Sequence, residues 1–376
     1  MRGASDALGE GRVAQLIGSD GPGGAERVVV EVATALQASG IDTVVFVPKH
    51  GEGWLERQLA GSGVPVEHYH LERPLSPASA RALADTFRRH RVTVAHGHEF
   101  SMGVYGAWAS WLVGVPHVMT MHGGRYYAER LRRRLALRAA VSVSAQAVAV
   151  STTCARDLSR TLGIRRSRIR MIPNGVRFVP AQRVTLRSEL QLGAADRLVV
   201  SLGSLYPVKG HVHLIDAVAR LRDRHPKLHV AIGGRGDQAD SLVARAAAHG
   251  IQDRVHLLGL RSDVEGVLAA ADVFALPSLS EAMPLALLEA MFAGCPIVAS
   301  DVGDVGIALD RGSAGLLVRP GDAESLAAAI DCLLSNAAQA HAFGERAERR
   351  ARAEYDLSRM VDRYVDVYRS ALGTQQ

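Results

Sequence analysis

Glu281 and Glu289 stand eight residues apart in the run Ser280-Glu281-Ala282-Met283-Pro284-Leu285-Ala286-Leu287-Leu288-Glu289, directly after an apolar stretch that ends at Leu276-Pro277. The pattern reads as strand, loop and helix. Proline is favoured in the first turn of a helix, which leaves Glu281 in the loop and puts Glu289 on the second turn, both near the positive end of the helix. An ionised carboxylate gains roughly 1.5 to 3 kcal/mol from each hydroxyl it accepts, which suits a sugar or a ribose. Taken alone, such a pair is more often a solvated charge at a helix start. The neighbouring loops change that weighting.

Gly203-Ser204-Leu205-Tyr206-Pro207-Val208-Lys209-Gly210 also follows an apolar run and opens a helix, and its lysine can neutralise a diphosphate. Gly233-Gly234-Arg235-Gly236-Asp237 follows a third run. The C-terminal ends of parallel strands are where open α/β sheets bind ligands, and helix N-termini offer unpaired N–H groups to phosphate. In the first half of the chain, Gly21-Pro22-Gly23-Gly24-Ala25-Glu26 joins the first strand to a helix. It is not a dinucleotide fingerprint: Gly18, Gly21, Gly23 and Gly24 miss the G-x-G-x-x-G spacing, and Phe46-Val47-Pro48 ends the second strand without an acidic residue. His96, His98 and Glu99 follow one strand and His122-Gly123-Gly124 another, so all can point into an interdomain cleft; a lone histidine is more often structural than catalytic, but the glycines beside His122 suggest close approach of something bulky.

The elements that position these loops alternate along the whole chain. Short Val- and Ile-rich runs at 13–17, 43–47, 92–96, 117–121 and 147–150, then at 198–202, 229–232, 255–258, 273–276 and 296–299, are separated by helix-patterned segments, which predicts α/β architecture with parallel sheets. With 376 residues the chain is long enough for two cores. Ile172-Pro173-Asn174-Gly175-Val176, followed by Pro180, carries turn chemistry and marks the linker between the two series. Beyond Asp322 the pattern is helical, and Tyr355, Met360, Val361, Tyr364, Val365 and Tyr368 form one apolar stripe that must pack on something.

Composition narrows the classes. Hydrophobic residues make up 48% and charged residues 22%, the balance of a folded globular chain. No long uninterrupted apolar run and no signal-peptide core is present, so a cytoplasmic location is expected. Cys154, Cys295 and Cys332 form neither a disulfide framework nor a metal-ligand pattern. The net charge of +6 favours anionic partners without choosing among them. No nucleic-acid partner is expected, because the basic residues are not interleaved with stacking aromatics.

Taken together, Gly23-Gly24-Ala25-Glu26, Met121-His122-Gly123, Val150-Ser151 with Ile172-Pro173-Asn174-Gly175-Val176, and the stretches 205–210, 234–236 and 281–289 resemble the retaining glycosyltransferase family 4, also called glycosyltransferases group 1. The resemblance covers nearly the whole chain. It implies the GT-B fold: two Rossmann-like parallel-sheet domains facing across a cleft, an acceptor-binding domain at 1–178, a donor-binding domain at 179–354, and a helix at 355–376 packing back on the first. It implies a retaining, metal-independent hexosyltransferase that moves a sugar from a nucleotide-diphosphate sugar to a glycan or lipid-linked acceptor in envelope or polysaccharide biosynthesis, with no cofactor beyond the donor.

The same resemblance assigns roles. His122, Glu281 and Lys209 become the catalytic group, with Lys209 on the diphosphate, Glu281 on the transferred sugar and His122 beside the reacting centre. Gly24, Ser204, Arg235, Met283, Pro284, Leu285 and Glu289 become donor-binding, Glu289 through the ribose. His98 matches the family only loosely; with Glu99 and Arg125, which stand after the same strands of the first half, it is an acceptor-side candidate from its place in the chain. Three positions depart from the family pattern: Ser204 replaces an arginine that shares the diphosphate charge, Ala282 replaces a glycine, and Asp304 stands where a second glycine often follows Val302-Gly303. Losing that arginine weakens leaving-group stabilisation unless Arg235 compensates.

Ser204 also keeps a second class open, a catalytically silent nucleotide-sugar-binding subunit. A nucleotide-sugar 2-epimerase of similar two-lobed fold is a third, disfavoured by the glutamate pair and the Pro-Asn-Gly linker. Residues 125–138 carry six arginines among Tyr126, Tyr127, Leu131, Leu135 and Leu137. This reads either as a solvated helix whose leucines pack inward or as a peripheral contact with anionic lipid on the inner face of the cell membrane, each arginine contributing about 1 kcal/mol.

Overall fold

The computed structural model describes residues 11–71, 75–123, 129–181 and 185–373. The chain divides into two compact units: Met1–Gly175 together with Leu357–Gln376, and Val176–Asp356. It leaves the first unit inside the turn-rich segment 172–176 and returns to it two residues after Tyr355. The two crossings run side by side, with Val176 and Asp356 in a parallel bridge and the Val176 N–H donating to the Tyr355 carbonyl at 3.0 Å.

In the first unit, β1 (Arg12–Leu16), β2 (Thr43–Pro48), β3 (Val66–Tyr69), β4 (Val92–His98), β5 (His117–Met121), β6 (Gln146–Ala149) and β7 (Ile169–Met171) form one sheet in the order β3-β2-β1-β4-β5-β6-β7. All its pairings are parallel. The interior strands are nearly continuous buried runs, as a sheet covered on both faces requires. Helices Pro77–Arg89 and Glu99–Val113 pack on each other, and Ala80, Leu83, Phe87, Met102 and Tyr105 join Leu16 and Phe46 in one core cluster.

Helix Leu357–Gly373 closes this unit. Its stripe of Met360, Val361, Tyr364, Val365 and Tyr368 is buried, and it contacts helix Gly24–Ala38 and strands β4 and β5. Each such side chain stabilises the unit by roughly 1.5 to 3 kcal/mol. Tyr355 lies outside this helix, as the residue that caps helix Ala337–Glu354.

In the second unit, β8 (Arg197–Leu202), β9 (Leu228–Gly233), β10 (Val255–Gly259), β11 (Val273–Leu276), β12 (Ile297–Ser300) and β13 (Leu316–Val318) form a parallel sheet in the order β10-β9-β8-β11-β12-β13. Helices His211–Leu221 and Ala323–Ser335 contribute Leu214, Val218, Leu326 and Ile330 to its core. In both sheets the strand order reverses once, between β1 and β4 and between β8 and β11. Connections leave in opposite directions on either side of such a point, and the gap beyond the strand ends is where open sheets take ligands.

Candidate functional site

In the second unit the two loops that flank the reversal are 203–210, after β8, and 277–284, after β11. They hold each other by backbone contacts. The Leu279 N–H donates to the Val208 carbonyl at 2.8 Å, and Gly210, at φ +65°, lies so close to the Pro277 carbonyl that any Cβ there would collide with it. A turn at Pro207–Lys209 lifts Lys209, whose Nζ donates to Glu281 Oε1 at 2.6 Å. Ser278 Oγ donates to the same oxygen at 2.8 Å. The side chains of Lys209 and Glu281 are 25% and 8% exposed, so the pair is largely shielded from water.

Glu281 is supported from beneath. Gly303, at φ +58°, packs under the Glu281 carbonyl where a Cβ would have no room, and the Asp304 N–H donates to the Ala282 carbonyl at 3.1 Å. Asp304 is itself buried, so this departure from the family pattern lies under the glutamate loop. Pro284 precedes rather than enters helix Leu285–Phe292, which begins at Leu285; Met283 is buried just before it and Glu289 is buried on its second turn.

The third loop is stitched to the first. Gly203 N–H donates to Gly233 O at 2.9 Å and Leu205 N–H to Arg235 O at 2.8 Å, which fixes the backbone of Arg235 beside Ser204. Arg235 is exposed and Ser204 half-buried. The fold thus brings Lys209, Glu281, Ser204 and Arg235 onto one edge of one sheet. Ser278 is a member of this cluster that sequence reasoning missed; its position directly after Leu276-Pro277 at a strand end was the available signal.

In the first unit the reversal lies between β1 and β4. Gly24 is the first residue of helix Gly24–Ala38, exposed, with nothing within 4 Å of where a Cβ would stand. Glu99 opens helix Glu99–Val113 at φ +62°, a left-handed conformation unusual for a residue with a side chain. Its Oε1 accepts the backbone N–H of His122 at 3.1 Å. Burial pushes the Glu99 carboxyl up to about 7; the His122 N–H works against that, and the nearby Glu26 carboxylate adds to it.

His98 does not stand where an acceptor could touch it. It is fully buried, its Nδ1 lies 2.8 Å from His122 Nε2 and its Nε2 2.8 Å from Gln15 Oε1, so both ring nitrogens are engaged inside the unit. His122 stacks on it at 5.2 Å between ring centroids, and burial holds the His122 ring down at about 4, so it is neutral at ordinary pH. Its Nδ1 has no partner among the described residues. Gln15 thus holds His98 from the side away from His122, and the Glu26 carboxylate lies near Glu99.

Arg125, with Tyr126 and Tyr127, lies outside the described residues. The described part of the arginine-rich stretch is helix Leu131–Val143. Leu137 packs inward, but Leu131 and Leu135 are 66% and 57% exposed, which removes the expectation that all three leucines serve the core. Arg132, Arg134 and Arg138 are exposed on the same helix, and Trp111 is 69% exposed on its neighbour Glu99–Val113.

The arrangement offers an anion Lys209, Arg235 and the N-terminal end of helix Leu285–Phe292, and offers hydroxyls the Glu281 carboxylate. Among the described residues, no group of three or more His, Cys, Asp or Glu is placed to hold a metal ion, and no helix is long and apolar enough to cross a membrane.

Residues 182–350 match the model for Glycosyl transferases group 1, and residues 22–178 the model for Glycosyltransferase Family 4. The chain is 30% identical to a D-inositol 3-phosphate glycosyltransferase of Acidothermus cellulolyticus over 96% of this chain and 89% of that protein. It is 29% identical to the enzyme of the same name from Nocardia farcinica, over 94% and 86%. Among solved structures it resembles Anabaena HepE in complex with UDP, with a TM-score of 0.82, 24% identity, and coverage of 94% of this chain and 98% of that one.

Proposed function

The chain belongs to the glycosyltransferases group 1 and is a glycosyltransferase of GT-B fold, and from that premise we propose that it moves a hexose from a nucleotide-diphosphate sugar to a glycan or lipid-linked acceptor, with retention of anomeric configuration and without a metal ion. The observation that carries this reading is the Lys209–Glu281 pair, held at 2.6 Å by two loops at the reversal of the second sheet. One loop presents a cation suited to a diphosphate. The other presents a carboxylate suited to sugar hydroxyls, beside a helix start whose amides suit phosphate.

In this reading Lys209 and Arg235 hold the diphosphate, with Arg235 standing in for the arginine that Ser204 replaces. Glu281 accepts hydroxyls of the transferred sugar, Glu289 the ribose, and the backbone of Met283, Pro284 and Leu285 receives the donor. Gly24 leaves room for the donor, and His122 contacts the sugar. The bond from the anomeric carbon to the leaving phosphate oxygen breaks as the acceptor oxygen forms its own bond on the same face. The acceptor's proton passes to the departing phosphate oxygen. No enzyme nucleophile is needed; the chain supplies positioning and electrostatic stabilisation of the leaving charge.

The test is thermal stabilisation of the purified protein by UDP-, GDP-, ADP- and dTDP-sugars, followed by nucleotide release with and without an acceptor extract, in wild type and Glu281→Ala. Release that requires both one donor and an acceptor, and that Glu281→Ala abolishes, supports transfer. Conversion of the donor without acceptor points to an epimerase, and binding without turnover to a silent subunit.

A second reading concerns location. The exposed Leu131 and Leu135 on a helix bearing Arg132, Arg134 and Arg138 support peripheral contact with anionic lipid, apolar side chains entering the interface and arginines meeting headgroups. Co-sedimentation with vesicles containing phosphatidylglycerol, lost in high salt and in Leu131→Ser/Leu135→Ser, tests it; equal sedimentation of the double variant refutes it.

A further inference from the structure

One face of the first sheet carries polar side chains where the rest of its core is apolar. Gln15, His96, His98 and Thr120 are fully buried on neighbouring strands, with Gln15 beside His96 and His98 beside Thr120 in the parallel register. Tyr364 and Tyr368 of helix Leu357–Gly373 cover them. Burying this many polar groups costs free energy unless each is satisfied, so the row is a feature to be explained.

The six side chains form one hydrogen-bonded line. The Tyr364 hydroxyl lies 3.2 Å from Thr120 Oγ1, which lies 2.8 Å from His96 Nε2; His96 Nδ1 lies 2.7 Å from the Tyr368 hydroxyl. Gln15 Nε2 donates to that hydroxyl at 3.0 Å, and Gln15 Oε1 lies 2.8 Å from His98 Nε2. The line ends at His122, through His98 Nδ1 and His122 Nε2 at 2.8 Å.

The Gln15 amide gives the line a direction. Its nitrogen faces Tyr368 and its oxygen faces His98, so His98 must carry its proton on Nε2. His98 Nδ1 is then a bare acceptor, and His122 must donate to it from Nε2. His122 Nδ1 is left as a lone pair, buried and without a partner among the described residues. Turning the amide round would reverse every step and leave a buried N–H without an acceptor at the same place, the costlier of the two defects.

We propose that Gln15 and His98 are positioning residues that lock His122 in its neutral, Nε2-protonated form, so that its Nδ1 lone pair accepts a hydrogen bond from a hydroxyl of the transferred sugar. The proposal rests on the reading that His122 contacts the donor sugar. His122 is then an acceptor for that sugar and never its donor, and the donor must present a hydroxyl there. The geometry also ties Tyr368, far along the chain, to the proton position on His122.

Two measurements test this. In ligand-free protein labelled with 15N-histidine, long-range proton–nitrogen correlation distinguishes protonated from bare ring nitrogens, and the His122 signals are those that vanish in His122→Gln. A bare Nδ1 and a protonated Nε2 are expected; a proton on Nδ1 overturns the proposal whatever the enzyme transfers. Binding then separates positioning from mere structure. In His98→Phe and Gln15→Leu, affinity for the nucleotide-sugar is expected to fall about tenfold, the worth of one hydrogen bond, with affinity for the bare nucleoside diphosphate unchanged.

A monodeoxy donor lacking the contacted hydroxyl should bind wild type and variants alike. If His98→Phe fails to fold, Gln15→Leu and the wild-type spectrum still decide. Equal weakening of nucleotide-sugar and nucleoside diphosphate overturns the positioning role. If wild type shows the expected ring form yet binds no donor, the transferase reading has failed and takes the sugar contact with it.

Discussion

Lys209 and Glu281 lie 2.6 Å apart in the ligand-free chain, so the cation proposed for the diphosphate is already held by the carboxylate proposed for the sugar. Removing one partner of a mostly shielded pair strands the other. Lys209→Met should therefore destabilise the second unit by on the order of 2 kcal/mol, less than a fully buried pair because Lys209 keeps some contact with water. The double variant Lys209→Met/Glu281→Gln should recover most of that loss, and neither should bind donor. Urea unfolding and donor titration read both effects.

Ser204 and Arg235 give an opposing pair of expectations. Because Leu205 N–H fixes the Arg235 backbone beside Ser204, Ser204→Arg places a second cation by the same loop and should raise donor affinity about tenfold, the worth of one charge-assisted bond. Arg235→Ala should lower it by a similar factor, and Ser204→Arg should rescue it. Calorimetric titration with the donor found in the panel is the measurement.

Gly24 is not required by the chain's own packing, since a side chain there would meet open space. Gly24→Ala should therefore leave thermal stability unchanged or raise it, by up to about 1 kcal/mol of helix propensity. Gly24→Val should keep the fold and lose transfer. Loss of folding in either variant contradicts the expectation.

Glu99 and the buried histidines act in opposite directions with pH. The folded value for Glu99, about 7, is above its ordinary 4.5, so the folded chain holds this proton more tightly than the unfolded one. Its contribution is present in full below about pH 4.5 and is lost as pH rises through 7. Glu99→Gln should thus stabilise the protein at pH 8 and change little at pH 4.5, read as the difference in melting temperature.

For His122 and His117 the folded values, about 4 and about 3, lie below the ordinary 6.5 because burial disfavours the charged ring. The unfolded chain then binds protons first, and stability falls as pH drops below 6.5. Burial lowers His96 and His98 in the same sense. Each contributes up to about 1.4 kcal/mol per pH unit, and Glu99 offsets one of them between pH 7 and 4.5. Unfolding free energy measured from pH 7 to pH 4.5 should fall more steeply than in His117→Asn.

The interior of both sheets was legible because strands buried on two faces become nearly unbroken apolar runs, as in Thr43–Pro48 and Val273–Leu276. The three strands that escaped notice, Val66–Tyr69, Ile169–Met171 and Leu316–Val318, all lie at sheet edges, where length and burial fall away. That Lys209 and Glu281 meet was legible because each stands in a loop that follows a strand and opens a helix. The polar row was not. Its members sit inside apolar runs, and Gln15 meets Tyr368 across 353 positions, a pairing that no local pattern reports. Tyr364 and Tyr368 read only as part of an apolar stripe, and His98 as a ligand-facing residue, because spacing along β4 does not tell which side chains a returning helix will cover.

That returning helix also sets an order of events during synthesis. Strands β1, β4 and β5 leave the ribosome early, but Leu357–Gly373 follows only after all of Val176–Asp356 has been made. At 5 to 20 residues per second the wait is roughly ten to forty seconds. Through that interval the face awaiting Tyr364 and Tyr368 presents Gln15, His96, His98 and Thr120, side chains that water can solvate. A newborn sheet with leucines at those four places would spend the same interval as an adhesive surface.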